Sequence, residues 1–179
     1  MPNNWTIKDK NFEKFIDSNL IEERVKATAH IMNEELKGKN PLFIVILNGS
    51  FIFASDIFKK ITIDCEITFI KLSSYRGTAS TGCIEELMGL DKNIDGRTIV
   101  VVEDIVDTGL TLQSFLDSIK QKNPAEIKIA SCFVKPDVFQ NKFPIDYKCF
   151  DIPNDFVVGY GLDYDGYGRN SEHLYKLCQ

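Results

Sequence analysis

The stretch "VVEDIVDTGLTL", Val101 to Leu112, decides the reading of this chain. It starts as the end of a buried strand and closes as the first turn of a helix. Between them lie three carboxylates, Glu103, Asp104 and Asp107, followed by Thr108, Gly109 and Thr111. A hydrophobic strand that delivers clustered charge and hydroxyls to a helix start is typical of the ligand-binding rim of a parallel sheet.

The flanking sequence supports such a sheet. "TIVVVED" is the strand itself, and "LTLQSFLDSIKQK" carries Leu112, Phe115, Leu116 and Ile119 on one helical face. Upstream, "LFIVIL" is a continuous apolar run of the kind found in central parallel strands. It leads through "NGS" into the helical "FIFASDIFKK". "NLIEERVKATAHIMNEELKG" predicts a helix with Asn19 as its cap, Gly38 near its end, and Ile21, Val25, Met32 and Leu36 buried. "ITIDCEITFIKL" alternates, so Ile61, Ile63, Cys65, Ile67 and Phe69 should share one face of a strand. "EIKIASCFV", "YKCFDIP" and "FVVGYG" follow as strands, and the tail reads as loop with a short edge segment. Strands alternating with helices predict an α/β fold with a central parallel sheet flanked by helices. Asn48 to Ser50, Glu103 to Thr111 and Lys135 should then share the rim at the strands' carboxyl ends.

Bulk composition narrows the function. The chain has 179 residues, 44% hydrophobic and 26% charged, enough for one domain spanning 1–179 with a substantial core. A net charge of −5 argues against a nucleic-acid binder. The five cysteines are scattered, with no metal-ligand spacing, as in a reduced cytoplasmic protein. The opening "MPNNWTIKDKNF" has no signal-peptide core, and no apolar run is long enough to span a membrane.

The central stretch also reads chemically. Backbone N–H groups of Thr108, Gly109, Leu110 and Thr111 at a helix start, with two hydroxyls, form a cradle for a phosphate. "GxxxxGK[ST]" is absent, so this is not a P-loop. Glu103 and Asp104 cannot hold phosphate. They suit sugar hydroxyls, directly or through hydrated Mg²⁺. Asp107 lies beyond the sugar, facing whatever the sugar carries. Taken alone, each of these acids also reads as a helix cap or a solvated strand end.

The stretch closely resembles the phosphoribosyl-pyrophosphate motif of the type I phosphoribosyltransferases. Their 6-oxopurine branch, the hypoxanthine-guanine phosphoribosyltransferases, fits best. Four further blocks agree in order: "ILNGSFIFASDIF", "LSSYRGTASTG", "FVKP" and "IPNDFVVGYGLDYDGYGR". The resemblance implies the type I fold, with a small hood built from the N- and C-terminal segments. It also implies purine salvage: transfer of 5-phosphoribosyl from phosphoribosyl pyrophosphate to N9 of hypoxanthine, and of guanine, with Mg²⁺ as cofactor. Asp107 would be the acid-base group and would also join Thr108, Gly109, Leu110 and Thr111 at the 5′-phosphate. Asn48, Gly49 and Arg169 would bind pyrophosphate, with a non-proline cis peptide at Leu47–Asn48. Lys135, Phe156, Val157 and Asp163 would bind the purine, and Asp163 would share the metal with Glu103 and Asp104. Ser74 and Tyr75 would belong to a mobile loop, where Gly77 and Gly82 permit motion. The protein would be a homodimer or homotetramer whose partners are its small-molecule substrates. His30 and His173 are assigned to structure or surface.

One residue departs from the pattern. Asn48 stands where the family usually has Lys or Arg. Its backbone N–H still serves pyrophosphate, but its side chain adds no positive charge. Two other readings compete: a regulator of the same fold that binds RNA, and an enzyme acting on another base. The acidic balance weighs against the first. Lys135 weighs against a non-oxopurine base, because an ammonium donates to a carbonyl such as O6.

Overall fold

The computed structural model describes residues 2–74 and 84–178. In chain order the strands and helices are β1 (Asn4–Ile7), β2 (Lys10–Ile16), α1 (Ser18–Glu35), β3 (Leu42–Leu47), α2 (Phe51–Phe58), β4 (Glu66–Ser74) and β5 (Ile84–Met88). Then follow β6 (Thr98–Val106), α3 (Leu110–Lys120), β7 (Glu126–Val134), α4 (Pro136–Phe139), β8 (Tyr147–Asp151), β9 (Val157–Val158) and β10 (Leu174–Leu177).

The main sheet runs β5-β4-β3-β6-β7-β8, parallel throughout except for antiparallel β5. Strand periodicity explains why both faces are apolar. Phe43, Val45, Val100, Val102, Ala130 and Cys132 enter one core, beneath α1 and α2. Leu42, Ile44, Ile46, Ile99, Val101 and Ile129 enter the other, beneath α3. The α3 face is the expected one: Leu112, Phe115, Leu116 and Ile119 are all buried. Each such side chain contributes about 1.5–3 kcal/mol on leaving water.

The hood is a second sheet, ordered β1-β2-β10-β9 and antiparallel at every pair. Ile7, Phe12, Val158 and Tyr175 fill its small core. It is tied to the main body where Ser18 N–H donates to His173 Nδ1 at 2.8 Å.

Several local expectations change. Asp17, not Asn19, caps α1: its Oδ1 accepts from Asn19 N–H at 3.0 Å. The fourth strand begins at Glu66 rather than Ile61. Asn33 of α1 takes the intervening backbone, donating to Lys60 O at 2.9 Å and accepting from Thr62 N–H at 2.8 Å. Phe69 is exposed instead of joining Ile63 and Ile67 in the core. β10 lies inside the hood sheet, between β2 and β9, not at an edge.

Candidate functional site

The carboxyl ends of parallel β3, β6 and β7 form the expected rim. From β3 the chain passes through the cis peptide Leu47–Asn48 and into α2. Gly49 meets β6 there, and a Cβ at that position would overlap Asp104 Oδ2. The first loop therefore lies against Asp104, and a side chain at position 49 would have to displace that carboxylate.

Glu103 and Asp104 close β6. Burial pushes both carboxyls upward: Glu103 well above its usual value, with Asp104 adding repulsion, and Asp104 from 3.8 to about 6. For Asp104 the Ile105 N–H and Arg169 oppose the rise, while Asp163 adds to it. Asp104 Oδ1 accepts from Ile105 N–H at 2.7 Å. Glu103 Oε2 is shielded from solvent and finds no hydrogen-bond partner among the described residues. A buried acceptor left unpaired is costly and calls for a donor or a cation.

Beyond the pair, Val106 to Leu112 together with Glu103 and Ile105 line a hollow of about 130 Å³. The first i→i−4 bond of α3 is Gln113 N–H to Gly109 O, so the earlier amides of the turn are not spent inside the helix. Thr108 Oγ1 accepts weakly from Leu110 N–H at 3.4 Å. Gly109 has a left-handed φ of 70°, and a Cβ there would press on Phe139 at 2.9 Å. The glycine is thus favoured by its backbone conformation and by the nearness of Phe139.

Lys135 follows β7 directly. Its N–H donates to Val106 O at 2.9 Å, extending the ladder by one step. Its side chain is buried, and Nζ lies 3.2 Å from Asp107 Oδ2 and 3.5 Å from Asn154 Oδ1. The sequence reading placed both charges at the site but not in contact. Asn154 was not singled out, and neither was Lys142, whose Nζ donates to Thr108 O at 2.8 Å. Lys142 adds a cation beside a cradle otherwise bordered by acids. Its one sequence signal is a positive charge close behind "FVKP".

The C-terminal segment completes the rim. Arg169 Nη1 donates to Gly161 O at 2.7 Å, and Nη2 lies 2.6 Å from Asp163 Oδ1. Asp163 Oδ2 accepts from Gly166 N–H. Asp163 therefore stands with Arg169 and Asp104. No closed cage of three or more acids, histidines or cysteines forms among the described residues. Phe156 is 45% exposed, edge-on to Tyr164, and its carbonyl accepts from Leu177 N–H. Val157 pairs with Lys176 of β10; since β9 ends the sheet, its other edge is not used by the hood. Ser74 is the last residue of β4, paired with Ile84. Tyr75, with the rest of 75–83, lies outside the described residues.

The chain is similar to known proteins in both sequence and fold. The phosphoribosyl transferase domain family model matches residues 13–165. A hypoxanthine-guanine phosphoribosyltransferase from Streptococcus pyogenes serotype M3 is 41% identical over 168 residues, 93% of each chain. A crystal structure of a Bacillus anthracis hypoxanthine-guanine phosphoribosyltransferase is 34% identical with a TM-score of 0.86, covering 93% of this chain and 97% of that one. A Staphylococcus aureus hypoxanthine phosphoribosyltransferase is 31% identical with a TM-score of 0.88, covering 93% and 91%.

Proposed function

This chain belongs to the phosphoribosyl transferase domain family, and from that premise we propose that it serves purine salvage. It transfers the 5-phosphoribosyl group from phosphoribosyl pyrophosphate to N9 of hypoxanthine or guanine, releasing pyrophosphate and the nucleoside monophosphate. The observation that carries this is the buried Lys135 ammonium 3.2 Å from Asp107, itself one wall of an amide-lined hollow. One end of the site suits phosphate and the other suits a 6-oxopurine.

Each group has a role in this reading. The amides and hydroxyls of 108–111 hold the 5′-phosphate. Glu103 and Asp104 take the ribose hydroxyls. Gly49 N–H and Arg169 hold pyrophosphate, a bidentate role that suits a guanidinium. Phe156 stacks on the purine, and Lys135 donates to O6. Asp107 holds or accepts the N7 proton while N9 attacks the ribose. Bringing base and sugar together supplies much of the acceleration, and fixed charges at the site supply more.

The residues fit Mg²⁺. Among the described residues Glu103 Oε2 has no hydrogen-bond partner, burial raises the Asp104 carboxyl, and the nearby Asp163 charge adds to that rise. Glu103, Asp104 and Asp163 would hold the ion jointly with substrate oxygens and water, as Mg²⁺ prefers. When bound, it would offset charge on the departing pyrophosphate. A homodimer or homotetramer, a single domain over 1–179 and a cytoplasmic location belong to the same proposal. Among the described residues no helix is long and apolar enough to cross a membrane.

The test is pyrophosphate release by the purified protein given phosphoribosyl pyrophosphate, Mg²⁺ and one base at a time. Hypoxanthine and guanine should turn over. Release with neither base would end this reading.

A further inference from the structure

Tyr160 and Asp56 have no part in the chemistry above, yet they join two segments that do. Tyr160 has a left-handed backbone, φ 47°, where bulky residues are rare. Its N–H donates to Ser171 O at 2.8 Å. Its side chain turns under α2, edge-on to Phe133, and Oη donates to Asp56 Oδ2 at 2.9 Å. Burial holds the phenol far above its usual pKa, so it remains a donor.

The neighbours of these two residues are the pyrophosphate-binding groups. Gly161, next after Tyr160, lies flat on the first loop: a Cβ there would overlap the Gly49 carbonyl oxygen. The Gly161 carbonyl accepts Arg169 Nη1 at 2.7 Å, and its N–H donates to Arg169 O at 3.0 Å. On the other side, α2 grows directly out of the Gly49 loop, with Phe51 N–H donating to Asn48 O at 3.3 Å. Asp56 is fixed on that helix. The Tyr160–Asp56 bond therefore closes a ring that runs from Gly49 along α2 to Asp56, across to Tyr160, through Gly161 and back to Gly49.

We propose that the Tyr160–Asp56 hydrogen bond is a positioning clamp for pyrophosphate recognition, setting the distance between the Gly49 loop and the Arg169 guanidinium. The inference rests on the phosphoribosyl-transfer reading. Packing alone does not require the hydroxyl. Asp56 also pairs with Lys59 at 2.9 Å, and both clamp residues border a cavity of about 270 Å³ with Lys59, Lys60 and Glu22. Asp56 thus keeps a partner, and water has a place to enter, when the phenol is removed. Tyr160→Phe should fold.

The experiment compares wild type with Tyr160→Phe, Asp56→Ala and Asp56→Asn. It measures KM for phosphoribosyl pyrophosphate and for hypoxanthine, calorimetric Kd for pyrophosphate with Mg²⁺, and Tm. Tyr160→Phe and Asp56→Ala should raise KM for phosphoribosyl pyrophosphate and the pyrophosphate Kd about five- to thirtyfold. KM for hypoxanthine should stay within about twofold, since uniform loosening would move both constants. Asp56→Asn retains an oxygen acceptor and should stay within about threefold of wild type throughout. The double variant Tyr160→Phe/Asp56→Ala should be no worse than either single one. An active wild type with unchanged pyrophosphate constants in Tyr160→Phe overturns the clamp. So do constants for both substrates that rise together with a fall in Tm, which would mark a merely structural contact. A wild type that neither binds pyrophosphate nor forms nucleotide instead removes the phosphoribosyl-transfer reading beneath it.

Discussion

Asp107 and Lys135 share one hydrogen bond at 3.2 Å, but only Lys135 is buried; half of the Asp107 side chain meets solvent. That asymmetry suits an acid that must reach a substrate proton and a cation that must wait for an oxygen. Asp107→Asn keeps an oxygen for Lys135 and removes the base. It should lower kcat by about 10²–10⁴-fold with little change in phosphate binding. Stopped-flow and steady-state kinetics decide this, and a near-normal kcat would take Asp107 out of the chemistry. Asn48 is exposed on the first loop, next to the Gly49 backbone that meets Asp104. Asn48→Lys adds a cation there and should tighten pyrophosphate binding, read by calorimetry; equal or weaker binding would refute the idea. Residue types and their order in "VVEDIVDTGLTL" nominated Asp107, whereas Asn48 and Lys135 came from the family resemblance of "ILNGSFIFASDIF" and "FVKP". The contact between Lys135 and Asp107 was not legible. It depends on the parallel register Val106↔Val134, which no local pattern encodes.

At the scale of elements, legibility followed hydrophobic periodicity. β3, β7 and α3 appear as read, because unbroken apolar runs and a 3.6-residue stripe have few alternative solutions. β1 and β2 were missed. "NWTI" and "KNFEKFI" carry lysine, asparagine and glutamate, and they become strands only by pairing with each other and with β10, far along the chain. The start of β4 was misplaced because Asn33, a polar residue on another element, takes the backbone of 60–62. His173 shows the same kind of distant tie: its Nδ1 accepts the first-turn N–H of α1, and the ring is nearly buried. His173→Ala leaves that donor unpaired and should destabilise the fold by about 1–3 kcal/mol, seen in denaturant unfolding. A loss well below that range would mean that water replaces the imidazole.

The whole molecule brings like charges together at its rim, and ligand-free stability should register the strain. Burial raises the Asp104 carboxyl from 3.8 to about 6, so the folded state binds this proton more tightly than the unfolded chain does. The stability this group contributes is full below its ordinary pKa and is lost as pH rises through about 6. Asp104→Asn should therefore melt higher than wild type at about pH 7.5, and the gap should close by about pH 4. A tenfold change in proton affinity corresponds to about 1.4 kcal/mol, so the gap should be about 1–3 kcal/mol. Equal melting curves across that range would mean that Arg169 already neutralises Asp104. The segment between β9 and β10 sets Arg169 and Asp163 beside Gly161 and Asp104. The direct test of the central claim is kcat/KM for hypoxanthine and for adenine, with phosphoribosyl pyrophosphate and Mg²⁺, in wild type and Lys135→Ala. Facing O6, Lys135 donates to an acceptor; facing the 6-amino group, it meets another donor. Wild type should prefer hypoxanthine by about 10⁴–10⁵. Lys135→Ala should narrow that preference, chiefly by impairing hypoxanthine. Comparable use of adenine by wild type, or an undiminished preference in Lys135→Ala, would contradict the account.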